Sequence, residues 1–598
     1  MKNKNNEIKN KKTGMKNKKP GTKNSRQEKM WDLLIPLFLV LCVMPLIVHL
    51  AVYSCGYSQY NWYANEDLRA DFYCYYKSYF LDVTAIFTVI ILVFRMTLYR
   101  EKTRSCRQFL PLFVYVAFVI LSTIASVNRP ASLQGNFESF ESTIVLISYV
   151  VIAFYAYQIL EEERDYRLIF RGIVVITAVF CVTGILQAAG LDLMQYAPVQ
   201  KLMMSAEDYA VYGGEIKDTF SAGRVYLTLY NPDYAGIVLS MLYAVFLVMF
   251  FTEKEQGKRL CYGIVCVVLG ILVWFTYTRT SLLTMLLVTA IVFFWQKPFG
   301  KQKYVSWKYP AMVAVAVILL MIASDASHGW RYLDRILEQN NREPLTAMTT
   351  ESDGIYLTYD GTEYRIYRDK DQVVCENRQD GSRTVSEGGK DLILPMEDGA
   401  EAMISGEDKI MLYLADTTLT FIQDDSGYLY ETSDGKTDRM QKVAAADLHG
   451  MEYLGSARGY IWSRTLPLLK YYLLAGSGPD TFAEVFPQND YAGKIVYADD
   501  PARIIEKAHN DYLTKWVQTG FISMASILVF YGIILVKGKR GCELLAEDHS
   551  MKKRLGVGCY LACISYMAAN LFNDSTLQTT PLFFVFAGIV LSMSADSL

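Results

Sequence analysis

Long apolar runs, each of roughly 17 to 22 residues, recur along the chain from Trp31 to Ser594. Such a run is about the length that an α-helix needs to cross ~30 Å of hydrocarbon. The pattern therefore predicts an α-helical polytopic membrane protein with about twelve transmembrane helices. We predict the spans at residues 31–53, 79–99, 108–126, 142–160, 170–189, 234–251, 260–277, 281–296, 309–324, 519–537, 555–573 and 580–594.

Lysine and arginine are unevenly distributed between the loops that join these spans. Loops on the side of the N-terminal tail are basic, as in the segment with Arg100, Lys102, Arg104 and Arg107, whereas the opposite loops hold few cations. Because basic loops tend to stay in the cytoplasm, this bias predicts a multi-pass protein of the cell membrane with both termini cytoplasmic. The long segment between the ninth and tenth spans then lies outside.

The same pattern divides the chain into five parts. Residues 1–30 are rich in Lys and Asn and predict a disordered, basic cytoplasmic tail. Residues 31–324 hold transmembrane helices one to nine, and residues 519–598 hold helices ten to twelve. Residues 325–457 and 458–518 form two extracytoplasmic regions between them.

Period-two alternation of apolar and polar residues marks the segment from about 345 to 440, as in GIYLTYDGTEYRIYRD. Asp-Gly pairs at 360 and 434 and a Ser-Gly pair at 426 interrupt the alternation and are typical of hairpin turns. We predict an inserted antiparallel all-β module. It serves either as a spacer without chemistry or as a glycan- or partner-binding surface.

Residues 458–518 are amphipathic and rich in Trp and Tyr, as in RGYIWSRTLPLLKYYLL and PARIIEKAHNDYLTKWVQ. Helices that are too short or too charged to span a membrane tend to lie along its surface. We therefore predict an interfacial helical segment over the outer membrane face.

Composition narrows the classes of function. The chain has 598 residues, of which 52% are hydrophobic, and a formal net charge of -2. A globally basic nucleic-acid binder is excluded, because such a protein needs a cationic field. The eleven cysteines form no pair of CxxC motifs, so no zinc site is indicated. Cys55 and Cys74 share a predicted outer loop, and their spacing leaves a disulfide open.

Several polar groups of the predicted outer face are candidates for chemistry, because charges close to a membrane are costly. Arg224 precedes the sixth span and is either a snorkelling residue at the membrane interface or a residue with a functional role. The Asn231-Pro232-Asp233 triplet fits a helix start, with or without a further role. Arg279 lies in a tight turn between two spans, where its guanidinium can bind an anion in bidentate geometry.

His509, in EKAHNDYL, is the candidate base. If this segment is helical, Glu506 lies three residues earlier on the same face and can orient the imidazole or raise its pKa. A metal site with Asp511 is the competing interpretation, but side chains two apart on a helix diverge and no further ligands have suitable spacing. Arg458 and Arg464 flank Trp462 and are placed for lipid headgroup contact.

The order of these motifs resembles a known family. ASLQGNFESFES, GRVYLTLYNPDYAG, TYTRTSLL, RGYIW, GSGPDTF and HNDYLTKWVQTGFI follow one another between about 122 and 534, and this succession is similar to the O-antigen ligase and O-antigen polymerase superfamily of bacterial membrane glycosyltransferases. The resemblance implies that a glycan on undecaprenyl diphosphate is moved to an acceptor hydroxyl at an outer cavity, without a metal or another cofactor.

By this resemblance, His509, Arg279 and Arg224 carry the catalysis, with His509 as the base and the arginines at the diphosphate. We further predict that substrate contacts come from Arg458, Arg464, Glu506, Asn510 and Asn231. The partners implied are the lipid-linked glycan, an unidentified acceptor glycan or lipid, and the surrounding membrane lipids, but no nucleic acid. Such an enzyme belongs to polysaccharide biosynthesis in the cell envelope.

Two alternatives stay open at this point. A polysaccharide polymerase of the same superfamily uses the same donor chemistry and differs only in the acceptor. A lipid-linked glycan transporter or flippase also fits a twelve-span protein, although transporters tend to show repeated halves and mid-membrane charges. The sequence shows no internal repeat, and its polar residues gather at the predicted outer face.

Overall fold

A computed structural model describes most of the chain. The described residues are 32–98, 100–136, 138–213, 220, 223–294, 326, 345–359, 361–370, 372–386, 392–395, 401–405, 409–414, 417–453, 455–498 and 500–594. The predicted tail at 1–30 and the predicted span at 309–324 lie outside these residues.

Helices dominate the described part of the chain. They are α1 (Asp32–Leu46), α2 (Tyr75–Thr97), α3 (Leu110–Ile124), α4 (Arg129–Gln134), α5 (Thr143–Ile159), α6 (Glu163–Ala188), α7 (Ala197–Met203), α8 (Ala206–Tyr212), α9 (Pro232–Thr252), α10 (Gln256–Phe275), α11 (Arg279–Phe294), α12 (Arg458–Thr465), α13 (Phe482–Val485), α14 (Tyr491–Ala498), α15 (Asp511–Thr519), α16 (Phe521–Leu545), α17 (Met551–Ala569) and α18 (Thr580–Met593).

Among the described residues, six helices are long and apolar enough to cross a membrane: α2, α3 with the 3₁₀ turn before it, α6, α9, α10 and α16. Four others, α1, α5, α11 and α18, are apolar but shorter. The outward side chains of α2 are large and apolar, including Val83, Phe87, Val93 and Phe94. These features suggest a membrane-embedded protein, whereas the number of twelve spans stays a prediction.

Helix α1 is shorter than the span predicted at 31–53. The helix changes to a π-helical turn at Leu39–Val43 and then to a 3₁₀ turn at Met44–Leu46. The backbone of Ile47 is already extended. Pro45 lacks the amide proton that an α-helix would need there. The chain then forms β1 (Ala51–Ser54), which pairs antiparallel with β2 (Leu68–Asp71). The last part of this apolar run is therefore an extended strand, which hydrophobicity alone does not distinguish from a helix.

The inserted region contains two antiparallel sheets. One has the order β3-β4-β5-β6-β7 and the other the order β13-β12-β11-β10-β9-β8. The strands are β3 (Leu345–Thr350), β4 (Ile355–Tyr359), β5 (Thr362–Asp369), β6 (Gln372–Asn377), β7 (Arg383–Val385), β8 (Leu392–Pro395), β9 (Glu401–Ser405), β10 (Ile410–Leu414), β11 (Thr417–Asp424), β12 (Gly427–Glu431) and β13 (Thr437–Asp438). We call this region the β module.

One core joins the two sheets of the β module to a helix from the following segment. Ile355, Leu357 and Phe421 are buried in it, together with Tyr491 and Ile495 of α14. The ring of Tyr491 lies 4.7 Å from that of Tyr430, and its hydroxyl donates to Asp438 over 2.8 Å. The β module is therefore packed against residues 455–520, which we call the roof segment.

The roof segment is less helical than its amphipathic pattern predicts. It contains α12, a 3₁₀ turn at Leu466–Tyr471, the short helices α13 and α14, and α15. Residues 503–508 have no regular secondary structure. There the side chain of Gln488 bonds both the amide and the carbonyl of Ile505, at 3.1 and 2.7 Å. These backbone groups therefore form hydrogen bonds with a side chain and not with the next turn of a helix.

Segments from three separate parts of the chain meet at one end of the helix bundle. The Ser122 hydroxyl donates to the Thr519 carbonyl and accepts from the Gly476 amide. At the opposite end of the bundle, Arg554 pairs with Glu253 at 2.9 Å. We call the first of these the site end, because the candidate residues below lie there.

Candidate functional site

His509 lies in a turn immediately before α15. Its φ is +49°, in the left-handed region that non-glycine residues seldom occupy. The next residue, Asn510, caps the helix by accepting hydrogen bonds from the amides of Tyr512 and Leu513, both at 3.1 Å. The Trp462 indole donates to the Ala508 carbonyl over 2.9 Å. The backbone on both sides of the imidazole is thus fixed by side chains.

A buried carboxylate orients the imidazole. Nδ1 of His509 lies 3.0 Å from Oδ2 of Asp574, and the other carboxylate oxygen accepts from the Thr514 hydroxyl at 2.8 Å. The His509 side chain is 32% exposed, whereas that of Asp574 is 2% exposed. With Nδ1–H donated to the carboxylate, Nε2 is the nitrogen that can accept a proton.

Asp574 is ionised in this environment. Its burial acts to raise the pKa, but the hydrogen bond from His509, the charges of His509 and Lys507, and the bond from Thr514 together hold the pKa below its usual value. A carboxylate that stays charged can stabilise the imidazolium that forms when His509 takes up a proton.

A second contact fixes α15 to the loop that carries Asp574. The buried Asp511 side chain forms an ion pair with Lys515, one turn later, and accepts from the Ser575 amide at 3.2 Å. Its own amide donates to the carbonyls of Asn570 and Asn573, at 3.0 and 2.8 Å. The helix start and the Asn570–Thr576 loop therefore form one unit, and Asp511 is a structural residue of that unit.

Lys507 is a buried cation at this junction. Burial acts to lower its pKa, but nearby Tyr234 and the carboxylates of Glu141, Asp574 and Glu506 raise it above the usual value. Its ammonium lies 3.4 Å from the Ser575 carbonyl. The raised pKa keeps Lys507 protonated at neutral pH, beside the acidic groups behind His509.

Glu506 does not orient His509. The prediction that a helix would place the two side chains on one face is wrong, because residues 503–508 are not helical and His509 pairs with Asp574. Burial, and then the charge of Glu138, raise the pKa of Glu506 well above its usual value. Among the described residues, no partner hydrogen-bonds to its buried Oε2 atom.

The loop before α5 and the segment before α9 meet at the same end. The Tyr230 hydroxyl donates to Glu138 at 2.6 Å. Asp480 accepts from the Asn136 amide at 2.6 Å, and burial, opposed by the charge of Lys507, raises its pKa to about 7. Asp480 therefore lies within electrostatic range of Lys507, and Glu138 within range of Glu506.

Arg458 links the start of α9 to the Asp574 loop. Its guanidinium donates to the Phe572 carbonyl at 2.7 Å and lies 3.6 Å from the Asp233 carboxylate and 3.5 Å from the Asn573 side chain. Asn231, predicted to contact substrate, caps α9 through the Asp233 amide at 2.9 Å. The Asn-Pro-Asp triplet and His509 are therefore joined through Arg458 and the Asn573–Asp574 pair.

Arg224 and Arg279 lie in adjacent segments of the same end. Nε of Arg224 donates to the Thr276 carbonyl at 3.1 Å, in the turn that leads to Arg279. Arg279 is exposed at the first position of α11, and within the described part of the chain no carboxylate is in ion-pair distance of it. This arginine can therefore approach an external anion without breaking an existing ion pair.

A glycine holds this turn against α9. A Cβ atom on Gly236 would lie 2.3 Å from the Ser281 hydroxyl and 2.7 Å from that of Thr278. Close approach at this position fixes the start of α11 relative to the start of α9, and hence Arg279 relative to Asp233.

Arg464 is engaged within the roof segment. Its Nε lies 2.8 Å from the buried Asp490 carboxylate, and its guanidinium stacks 4.7 Å from the centre of the Tyr460 ring. This environment gives the side chain a packing role, and its predicted substrate contact stays a prediction. The predicted contact of Asn510 also stays a prediction, since its side-chain amide donates to the Leu571 carbonyl at 2.9 Å.

Sequence reasoning missed Asp574 and Lys507. Asp574 belongs to a polar run, NLFNDSTLQTT, between the last two apolar runs, and most of that run is buried. A run of polar residues between two predicted spans was the available signal. Nothing in the sequence identified Lys507 as buried.

Two further expectations concern metals and disulfides. Within the described ranges, no group of three or more His, Cys, Asp or Glu side chains is arranged to hold a metal ion. Cys55 and Cys74 are both free: the Cys55 thiol lies 3.2 Å from the Tyr63 hydroxyl, and the Cys74 thiol lies 3.2 Å from the Glu138 carbonyl.

Comparison with known proteins does not assign the chain. No model of a protein family matches it, and no curated protein matches it either.

Proposed function

We propose that this protein is a membrane glycosyltransferase that moves a glycan from undecaprenyl diphosphate to an acceptor hydroxyl. The observation that carries the proposal is the His509–Asp574 pair, a partly exposed imidazole oriented by a buried, ionised carboxylate. Such a pair suits general-base catalysis on a hydroxyl near neutral pH. The exposed guanidinium of Arg279 at the same end of the bundle suits a phosphate-bearing substrate.

In the proposed reaction, the acceptor oxygen attacks the anomeric carbon of the donor glycan while its proton passes to Nε2 of His509. The bond between the anomeric carbon and the phosphate oxygen breaks, and the electron pair leaves with the lipid diphosphate. Arg224 and Arg279 stabilise the negative charge that grows on this leaving group. Asp574 stabilises the imidazolium, and no metal or cofactor takes part.

The membrane arrangement is part of the same proposal. Twelve spans with both termini in the cytoplasm place the site end outside, where the roof segment and the β module lie over the membrane. The six long apolar helices found among the described residues and the basic loops of the sequence support this orientation.

A polysaccharide polymerase of the same superfamily is the second candidate within the enzyme class. From another class, a transporter or flippase of lipid-linked glycan is disfavoured by the partly exposed imidazole with its carboxylate, since a transporter has no need for a general base at the membrane surface.

The direct test uses purified full-length protein and a defined undecaprenyl diphosphate-linked oligosaccharide, with and without candidate acceptors. A single adduct that depends on an added acceptor supports a ligase, whereas a ladder formed from the donor alone supports a polymerase. Movement of lipid-linked glycan across vesicle membranes without a covalent product contradicts both and favours the transporter.

A further inference from the structure

The five-stranded sheet of the β module carries a pocket of about 520 Å³ on its solvent-facing side. Met348 and Leu357 point into the core, so the alternate positions of β3 and β4 face outward. This volume falls within the ~300–1,000 Å³ that is typical of sites for small molecules.

Small side chains form the floor of this pocket. Ala347 lies directly opposite Thr358 in the register of β3 and β4, and Thr349 lies opposite Tyr356. Because the alanine and threonine side chains are short, the sheet surface is recessed at Ala347, Thr349 and Thr358. The longer side chains of Glu363, on β5, and Tyr356 rise beside them.

The walls combine hydrogen-bond acceptors with hydrogen-bond donors. The Tyr356 hydroxyl donates to Asp353 at 3.0 Å, and Arg365 forms an ion pair with the same carboxylate at 2.7 Å. The Arg378 guanidinium lies 5.3 Å from the centre of the Tyr356 ring and 3.8 Å from the Glu363 carboxylate. At 3.8 Å this last pair is not a close hydrogen bond, so both groups keep capacity for a ligand.

The remaining wall belongs to the connection between the β module and the roof segment. Lys442 lines the pocket from the chain that leaves β13. A hydrogen bond from the Met440 amide to the Thr350 hydroxyl, at 3.1 Å, joins this connection to the sheet. A second hydrogen bond, from the Ala446 amide to the Ser463 carbonyl at 2.7 Å, joins it to α12. A ligand in the pocket therefore touches both the module and the segment that continues to His509.

This mixture of groups selects a class of ligand. Carboxylates of both Asp353 and Glu363, the cations of Arg378 and Lys442, and hydroxyls on the floor provide acceptors and donors of both signs. A simple anion would meet the carboxylates, and an apolar ligand would leave the polar groups unpaired. A polyhydroxylated molecule can donate to the carboxylates and accept from the cations at the same time.

We propose that this pocket of the β module binds a short stretch of oligosaccharide, as a second carbohydrate site apart from the His509 site. The choice of carbohydrate as the ligand rests on the proposed function, in which a glycan is the substrate. The site then holds the acceptor or the growing chain beside the roof segment and so contributes to acceptor selection.

The experiment measures binding separately from transfer. Full-length purified protein and its His509→Ala variant are each titrated with maltotetraose, cellotetraose, chitotetraose and a uronic-acid-containing tetrasaccharide, with saturation-transfer NMR as the readout. We expect at least one of these probes to bind both proteins. The Ala347→Trp variant, which fills the floor, should weaken that binding tenfold or more. Thr418→Trp, an equally exposed change on the other sheet, should leave it unchanged.

Lys442→Ala provides a second variant that lies outside the sheet, so its effect does not depend on the folding of the module. We expect it to weaken binding at least threefold. The proposal is overturned if none of the four probes binds, or if Ala347→Trp and Lys442→Ala bind as the parent does. If the pocket variants weaken binding but the protein transfers no glycan, only the proposed function is rejected. If the protein transfers glycan but the pocket variants bind the probes as the parent does, only this inference is rejected.

Discussion

Nδ1 of His509 lies 3.0 Å from Oδ2 of Asp574, a residue 65 positions later in the chain. One of these side chains is on the turn before α15, and the other is on the loop between the two last helices of the chain. The pairing explains why the imidazole has a defined orientation in a segment without regular secondary structure. It also gives the polar run before α18 a role in the proposed chemistry.

Replacement of Asp574 by Asn keeps the shape of the side chain but removes its charge. We expect the rate of glycan transfer to fall about 100-fold or more, because the imidazolium loses its stabilising carboxylate and the tautomer of His509 is no longer enforced. The kcat should fall while the KM for the donor changes little. Thr514→Val, which removes only the hydrogen bond to the other carboxylate oxygen, should have a smaller effect. Equal losses in both variants would contradict the role assigned to the charge.

Arg279→Ala should lower transfer by on the order of 100-fold, since one preorganised contact to the leaving diphosphate is lost. Arg279→Lys should restore part of the rate, because a point charge replaces the bidentate fork. Arg129→Ala, at an exposed arginine of the same end, is the matched control and should retain the parental rate. An unchanged rate in Arg279→Ala would remove this arginine from the mechanism.

Arg458→Gln and Asp233→Asn separate two functions of the Arg458 contacts. The ion pair between them, at 3.6 Å, should contribute only ~0.2–1 kcal/mol. Arg458→Gln also loses the hydrogen bonds to the Phe572 and Gly455 carbonyls and should therefore reduce kcat and the apparent Tm more than Asp233→Asn does. A double-mutant cycle measures the coupling. Identical effects of the two single variants would show that the backbone contacts of Arg458 are dispensable.

Lys494 predicts a pH-dependent stability. This lysine of α14 is fully buried, and among the described residues its ammonium has no hydrogen-bond partner. Burial, opposed by Asp490, Asp500 and Asp438, lowers its pKa to about 7. Between this value and the usual pKa of 10.5, the unfolded chain binds more protons than the folded one, so stability rises with pH across that window.

Lys494→Met should therefore raise the apparent Tm, by the largest amount at pH 7 and below and by progressively less toward pH 10. Thermal unfolding in one detergent at several pH values measures this difference. Lys470→Met, at an exposed lysine of the roof segment, should show no such trend. A stabilisation by Lys494→Met that is independent of pH would mean that folding does not lower the pKa of this lysine.

The parts of the fold that local patterns determine follow from the sequence. Uninterrupted apolar runs locate helices such as α9 and α16, and period-two alternation locates the strands around Tyr356 and Phe421. These patterns report which side of an element is buried, and that property is encoded within a few residues. The end of α1 was predicted too late in the chain, because the apolar run continues past Pro45 into an extended strand.

The geometry of the candidate site depends on contacts between distant segments and is harder to predict from the sequence. Asp574 faces His509 only because α15 is bound to the Asn570–Thr576 loop through Asp511. The helix expected over Glu506 is absent, since Gln488 occupies the backbone groups of Ile505. A helical wheel assumes that backbone groups pair within their own segment, and this assumption fails in the roof segment.

The central claim is that His509 removes a proton from an acceptor while a lipid diphosphate departs. The most direct measurement compares purified parental protein with His509→Ala in single-turnover transfer from undecaprenyl diphosphate-linked oligosaccharide to a defined acceptor. The account predicts that the parent forms a covalent product and that His509→Ala forms it at least 100-fold more slowly, with donor binding retained. Transfer by His509→Ala at the parental rate would contradict the account.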